Sequence, residues 1–257
     1  MVASLITERT VRSEPRPFGG RMEPILSLRS WAMAKRQWVR YVGRQGPGGF
    51  SVVTMRCLKH RMSMNHIESI EVGLKENKPH TEIVRKVYLA YPTKVLVGDE
   101  ERQYKILNAI SCFLKVPIMS IQIAGSAKTG RSFHKQKDFV PGDSDLDVAV
   151  IDAGLYQRYM EAIFLVTKGY ADNSRFPLKN GKPVLDEYRS YLNRGIFRPD
   201  LMPSCEERKS WNAFFGKLSR EHGDLFKSIN ACIYMSQAFF ESKQRSAIKS
   251  YIDNRVV

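Results

Sequence analysis

Two aspartates within one apolar strand constrain the fold of this chain more than any other feature. Residues 144–151 read SDLDVAVI, so Asp145 and Asp147 alternate with apolar side chains. Because side chains alternate across a β-strand, the two aspartates share one face and the apolar residues share the other. Neighbouring carboxylates repel each other, and a hard divalent cation with oxygen ligands removes that cost. The segment therefore predicts a strand with a metal-binding face, rather than a turn that merely leads into a strand.

A Gly-Ser pair ends the strand that is predicted before the acidic one. Residues 118–125, IMSIQIAG, are a β-branched run that predicts a strand with Met119 on its apolar side. Gly125 lets the backbone approach a phosphate closely, and the hydroxyl of Ser126 and the N–H groups after it can bind phosphate oxygens. The pair therefore favours a phosphate site beside the two aspartates.

The same stretch also resembles the phosphate-binding loop of nucleotide hydrolases. Residues 125–132, GSAKTGRS, match the pattern G-x-x-x-x-G-K-[ST] except that Arg131 stands at the lysine position. That pattern needs a helix directly after the loop, and the residues before Pro141 are too few to form one. A phosphate-loop hydrolase is therefore the less favoured alternative.

Gly-Ser followed by Asp-x-Asp on the next strand resembles the polymerase-β-like nucleotidyltransferase superfamily. That superfamily includes CCA-adding enzymes, aminoglycoside nucleotidyltransferases, and the oligoadenylate and cyclic-oligonucleotide synthases. The resemblance covers residues 118–152 and extends loosely to residue 203. It implies an α/β (α+β) fold in which a nucleotidyltransferase-like mixed β-sheet is flanked by helices. The mixture of predicted strands and helices along the chain favours the same fold class.

The resemblance also implies which residues bind the nucleotide. Gly125 and Ser126 would hold the triphosphate, and we predict Lys128 and Arg131 as further nucleotide-binding residues from their charge and position in the loop. Solvated loop charges are the alternative interpretation of the two basic residues.

Three carboxylates are the catalytic and metal-binding residues that the resemblance implies. Asp145 and Asp147 would ligate two Mg²⁺ ions, with Mn²⁺ as a substitute. The third carboxylate comes from a later strand in the family, and we predict Asp200 in the segment RPDLMP, with Asp186 as the alternative. Two features depart from the family. The connection between the two motifs is longer than usual, and Pro199 makes the strand beside Asp200 irregular.

Helical periodicity marks the elements around the two motifs. Asp99 is the predicted N-cap of a helix that ends before Pro117, with Tyr104 and Leu114 on its apolar face. Asp152 is the predicted cap of a helix that directly follows the acidic strand. Three later segments predict a helix, an edge or final strand, and a closing helix, namely WNAFFGKLSREHG, SINACIYMS and QAFFESKQRSAIKSYI.

The net charge of +15 is concentrated at the start of the chain. The first 63 residues contain 12 Lys and Arg against 3 Glu, whereas the remaining 194 contain 29 basic and 23 acidic residues. Residues 1–62 are also broken by Pro and Gly. We therefore predict an irregular basic extension that is disordered, or that results from a start codon placed too far upstream. Its Arg-rich, acid-poor composition also fits a mitochondrial transit peptide. Residues 63–257 would form the nucleotidyltransferase-like domain.

Composition also limits the compartment and the partners. Cys57, Cys112, Cys205 and Cys232 include no C-x-x-C pair, which argues against a zinc cluster or a disulfide framework and favours a reducing, cytoplasmic location. No run of about 18 apolar residues occurs in the sequence, so no membrane span is predicted. The expected partners are a nucleoside triphosphate and an acceptor, which is RNA, a nucleotide or a small molecule.

The sequence predicts a metal-dependent enzyme that transfers a nucleoside monophosphate from a nucleoside triphosphate to an acceptor hydroxyl and releases pyrophosphate. The alternative is a catalytically inactive relative of the same fold that binds a nucleotide or RNA. Metal-dependent pyrophosphate release distinguishes these two functions, whereas release of the γ-phosphate would indicate a phosphate-loop hydrolase.

A chain that begins at Met64 should stay soluble and keep its nucleotide binding, because the basic extension lacks a globular pattern. Circular dichroism would measure folding, and titration with a fluorescent ATP analogue and Mg²⁺ would measure binding. The full-length chain is the control. Loss of folding on truncation would contradict the prediction.

Overall fold

The computed structural model describes residues 65–254, so the predicted extension at residues 1–62 lies outside the described part of the chain. Within that part, eight α-helices surround a mixed four-stranded sheet and two small two-stranded sheets. The α+β class predicted from the sequence is confirmed. No helix within residues 65–254 is long and apolar enough to cross a membrane.

The elements are numbered here in chain order. The α-helices are α1 (His66–Lys75), α2 (His80–Val84), α3 (Glu100–Leu114), α4 (Gly125–Thr129), α5 (Ala153–Val166), α6 (Leu185–Leu192), α7 (Glu206–Glu221) and α8 (Gln237–Asp253). The strands are β1 (Ile121–Ala124), β2 (Arg131–Ser132), β3 (Lys137–Asp138), β4 (Leu146–Ile151), β5 (Leu178–Lys179), β6 (Lys182–Pro183), β7 (Ile196–Phe197) and β8 (Ile229–Tyr234). Helix α2 continues as a π-helix over Arg85–Ala90, and single 3-10 turns occupy Lys94–Leu96, Ile118–Ser120 and Pro199–Leu201.

The main sheet has the strand order β1-β4-β8-β7. Strand β4 pairs antiparallel with β1 and parallel with β8, and β7 pairs antiparallel with β8 at the far edge. Because a parallel pair needs a long crossover connection, β4 and β8 are joined by a segment that contains three α-helices and the short strands β5, β6 and β7. The segment SINACIYMS forms the final strand, as one of the two predicted alternatives states, and it lies in the centre of the sheet.

Helices cover both faces of the sheet. Because side chains alternate along the central strands, successive residues pack against the helices on opposite faces. On one face, Leu146, Val148 and Val150 pack with buried residues of α3, α5, α6 and α7. On the opposite face, Ala149 and Tyr234 pack with buried residues of α1, α2 and α8. Burial of both faces accounts for the apolar character of β4 and β8 outside the acidic positions.

The predicted helix caps are confirmed. The Asp99 side chain accepts the N–H of Arg102 at 3.3 Å, and Asp152 accepts the N–H of Leu155 at 2.7 Å. Each carboxylate therefore satisfies one N–H group that has no partner inside its helix, at the start of α3 and of α5 respectively.

The prediction that Tyr104 and Met119 lie on buried apolar faces is wrong. Tyr104 is 54% exposed, because the buried face of α3 consists of Ile106, Ile110 and Leu114 and does not include Tyr104. Met119 is 81% exposed, because residues 118–120 form a 3-10 turn before β1 begins and do not follow the alternation of the strand.

Helix α8 runs across the second face of the sheet and is fixed near both ends. Near its start, the Phe239 ring lies against Gly195, where a Cβ would overlap the ring. Near its end, the rings of Tyr251 and Phe133 lie 4.9 Å apart, and Phe133 belongs to the hairpin that β2 and β3 form. Gly195 also has a φ of +65°, which favours glycine. This helix therefore ties the hairpin to the β7 side of the sheet.

Alanine at Gly195 should destabilise the fold more than alanine at Gly181. Both glycines have positive φ, so each substitution costs about 1–2 kcal/mol from backbone strain. Only at Gly195 would the new Cβ meet an aromatic ring, whereas nothing lies within 4 Å of a Cβ at Gly181. Urea unfolding of the two variants should differ by about 1–3 kcal/mol. Equal free energies of unfolding would contradict this account of how α8 is held.

Candidate functional site

The acidic motif lies at the start of β4. Asp147 is the second residue of the strand, and Asp145 precedes the strand by one position. The alternation of β4 directs Asp147 to the face that carries Ala149 and opposite to the buried Leu146 and Val148. The Asp147 side chain is exposed, so the sheet presents this carboxylate to solvent beyond the part of the face that α8 covers.

Gly125 packs directly against Asp147. Ala124 is the register partner of Asp147, so the chain enters α4 beside the carboxylate. Gly125 has a φ of +65°, and a Cβ at this position would overlap a carboxylate oxygen of Asp147. The turn is held from the other side by buried Thr129, whose hydroxyl contacts the Gly125 and Arg131 carbonyl oxygens at 3.2 and 2.8 Å. The Gly-Ser and Asp-x-Asp motifs are therefore adjacent in space.

The pKa of Asp147 is raised above its ordinary value of 3.8. The first cause is that surrounding protein atoms remove part of its hydration, although the side chain keeps an exposed surface. The second cause is the negative charge of Asp145. Both effects disfavour the charged carboxylate, and a bound cation would oppose both of them.

Three cationic side chains from separate elements lie near enough to Asp147 to lower its pKa in part. Lys135 lies in the turn between β2 and β3, Arg198 follows β7, and Lys243 lies on α8. Lys135 and Lys243 are exposed. A pair of carboxylates with cationic side chains nearby is suited to a ligand that carries both negative oxygens and a metal ion.

The structure places the two predicted basic residues, Lys128 and Arg131, in other interactions. The Lys128 side chain is buried, and its Nζ donates to the Tyr91 carbonyl oxygen at 2.6 Å. Burial lowers the pKa of Lys128 to about 8. Arg131 belongs to β2 and binds the Asp138 carboxylate across the hairpin at 2.8 Å. Ser126, by contrast, is half-buried in the first turn of α4, next to Gly125.

Neither candidate for the third carboxylate joins Asp145 and Asp147 in a metal-binding group. Asp200 lies in a 3-10 turn rather than a strand, because Pro199 cannot donate to the sheet, and Arg198 binds both of its carboxylate oxygens at 2.9 and 2.5 Å. Asp186 lies in the first turn of α6 with its side chain 99% exposed. Among residues 65–254, no three His, Cys, Asp or Glu side chains are gathered in a group that could hold a metal ion.

Strand β8 and the residue before it contribute two polar side chains, Asn230 and Ser228, that the sequence did not mark as site residues. Asn230 is the register partner of Asp147, and its Nδ2 donates to Ser228 Oγ at 2.7 Å. Ser228 Oγ in turn donates to Asp145 Oδ1 at 2.6 Å. The signal was present in the segment SINACIY, where polar and apolar residues alternate, but only the pairing with β4 shows which residues the polar ones face.

Cys232 follows Asn230 on the same face of β8 and is the register partner of Ala149. The protein atoms crowded around its thiol raise its pKa to about 12, and the nearby Asp200 and Asp147 charges act in the same direction. The thiol is therefore neutral at physiological pH and is poorly suited to act as a nucleophile or a thiolate ligand. Cys112, Cys205 and Cys232, the cysteines of the described range, are all free thiols.

Comparison of the chain with protein-family models, with curated proteins and with solved structures finds no match. Any chemistry assigned to this site therefore depends on the arrangement of this chain's own residues.

Removal of the Asp147 charge should stabilise the metal-free protein at neutral pH. Because its folded-state pKa is raised, the ionised carboxylate destabilises the folded state above that pKa. This cost disappears below the unfolded pKa, where both states are protonated. Asp147→Asn should therefore raise the thermal midpoint at pH 7 in the presence of a chelator and have little effect near about pH 3.

Asp186→Asn is the matched control for this measurement, because its carboxylate is almost fully exposed. Its thermal midpoint should follow that of the wild type at both pH values. A lower midpoint for Asp147→Asn at pH 7 would show that the ionised Asp147 carboxylate does not destabilise the metal-free fold.

Proposed function

We propose that the chain is a metal-dependent nucleotidyltransferase that moves a nucleoside monophosphate from a nucleoside triphosphate to an acceptor hydroxyl and releases pyrophosphate. The observation that carries this proposal is the packing of Gly125 against Asp147, which places the Gly-Ser turn beside the acidic start of β4. A phosphate at the turn and a cation at the carboxylates would then be neighbours, as transfer from a triphosphate requires.

The residues at the start of β4 fit a divalent cation. Asp145 and Asp147 supply carboxylate oxygens, which are the ligands that Mg²⁺ and Mn²⁺ prefer. The raised pKa of Asp147 comes first from the loss of hydration and second from the charge of Asp145, and a bound cation would oppose both effects. When bound, the ion would neutralise charge on the triphosphate and activate the acceptor hydroxyl. The two gathered carboxylates fit one ion better than the two ions expected from the sequence.

In this proposal, the cations near Asp147 would take the nucleotide-binding role that we expected of Lys128 and Arg131. Lys135 and Lys243 lie on different elements, both are exposed, and the charge of each lowers the pKa of Asp147. Their charges would hold phosphate oxygens in place while the acidic residues hold the metal. Positioning and charge neutralisation, without a covalent enzyme intermediate, are sufficient for this type of reaction.

A second candidate function is nucleotide or RNA binding without transfer. It is favoured by the contacts of Asp200, whose two carboxylate oxygens are both bound by Arg198, and by the amide of Asn230 beside Asp147. A fold with two gathered carboxylates could bind a metal–nucleotide complex and lack the third ligand needed for catalysis. A phosphate-loop hydrolase is less compatible, because Arg131–Ser132 form strand β2 where that loop would open into a helix.

Asp145→Asn should abolish pyrophosphate release from NTPs while leaving the fold intact, because the change keeps the side-chain shape and halves the negative charge of the Asp145–Asp147 pair. The assay incubates the full chain with each NTP and Mg²⁺, with and without total tRNA as the acceptor. Asp200→Asn should also be inactive if Asp200 rotates away from Arg198 to ligate metal, and Asp186→Asn should be fully active.

The outcomes separate the candidate functions. Pyrophosphate release that Asp145→Asn does not reduce would reject the catalytic assignment of Asp145. Nucleotide binding without pyrophosphate release in the wild type would favour binding without transfer, and release of γ-phosphate would favour a phosphate-loop hydrolase. An inactive Asp186→Asn beside an active Asp200→Asn would identify Asp186 as the third carboxylate.

A further inference from the structure

Asp145 is connected to β8 by a chain of two hydrogen bonds. Ser228 Oγ lies 2.6 Å from Asp145 Oδ1, and Asn230 Nδ2 lies 2.7 Å from the same hydroxyl. Ser228 is half-buried, and Asp145 lies 83 positions away in the sequence. These two side-chain hydrogen bonds therefore link the acidic motif to β8, in addition to the backbone pairing of β4 with β8.

The chemistry of the three groups fixes the direction of both hydrogen bonds. An ionised carboxylate only accepts, so an oxygen-to-oxygen distance of 2.6 Å requires the hydroxyl proton to lie between Ser228 and Asp145. The hydroxyl has no second proton, and it can contact Asn230 only as an acceptor. Asn230 must then present its NH₂ group to Ser228, and this amide keeps the hydroxyl pointed at Asp145.

We infer that Ser228 and Asn230 are positioning residues for Asp145 in metal binding. This inference rests on the proposed function insofar as it takes the Asp145–Asp147 pair as the cation site. With Oδ1 held by Ser228, Asp145 has one defined carboxylate orientation, and Oδ2 is left for a ligand. Asn230 acts through Ser228 although it is the in-register neighbour of Asp147. Groups that orient metal ligands in this way typically affect affinity strongly.

The test measures Mn²⁺ binding to the full-length chain by electron paramagnetic resonance, with the thermal midpoint recorded in metal-free buffer. Ser228→Ala should weaken Mn²⁺ binding by about tenfold or more. Ser228→Thr keeps the hydroxyl and should restore the affinity. Asn230→Ala should weaken binding in the same direction, because the hydroxyl then loses its orientation. Ser246→Ala, which removes an exposed hydroxyl on α8, is the matched control and should bind like the wild type.

A double variant separates positioning from a general loss of structure. If Ser228 acts only through Asp145, then Ser228→Ala should cause no further loss of Mn²⁺ affinity in an Asp145→Asn background. Unchanged affinity in Ser228→Ala would overturn the inference. A loss that Ser228→Thr fails to restore, or an additive loss in the double variant, would overturn it equally.

Pyrophosphate release measured on the same samples distinguishes this inference from the proposed function. If the wild type binds Mn²⁺ and Ser228→Ala impairs binding, but no pyrophosphate is released, the positioning role holds and the proposed transfer fails. If the wild type binds no Mn²⁺, both the positioning role and the metal-dependent function are overturned.

Discussion

The parallel pairing of β4 with β8 is the constraint on which the described domain depends. Six residue pairs, from Leu146 with Ile229 to Ile151 with Tyr234, fix the register of the two central strands. A shift of β4 by one residue would exchange its two faces, so that Leu146 and Val148 would leave the core and Asp147 would enter it. Because helices cover both faces, such a shift would bury a carboxylate among apolar side chains. The register that builds the core therefore also builds the candidate site.

The same sheet shows why the candidate site has an electrostatic character that neither motif has alone. Asp147 is placed close to Asp145 by the strand and close to Lys135, Arg198 and Lys243 by elements far apart in the sequence. Crowding by protein atoms and the charge of Asp145 raise the pKa of Asp147, and the three cations offset that rise only in part. A ligand that combines a divalent cation with phosphate groups would satisfy both sets of charges at once.

Features set by local chemistry could be predicted from the sequence, whereas side-chain partners could not. The alternation in β4 and the caps at Asp99 and Asp152 depend on residues within a few positions, and the structure confirms them. The burial of Lys128 depends on the carbonyl of Tyr91, which is 37 positions away. The place of Asn230 depends on which strand pairs with β4. Pro199 indicated in part that Asp200 would not lie in a regular strand, because proline has no N–H group to donate to the sheet.

The contact between Gly125 and Asp147 makes these two positions a single unit for any change of sequence. A side chain at position 125 would occupy the space of the Asp147 carboxylate, so it could be accommodated only if residue 147 became smaller. Random mutagenesis of the sequence should therefore yield folded variants with a side chain at position 125 only where residue 147 is also smaller, whereas loss of the acid does not require loss of the glycine. Sequence covariation between positions 125 and 147 would then record a steric exclusion rather than an attraction.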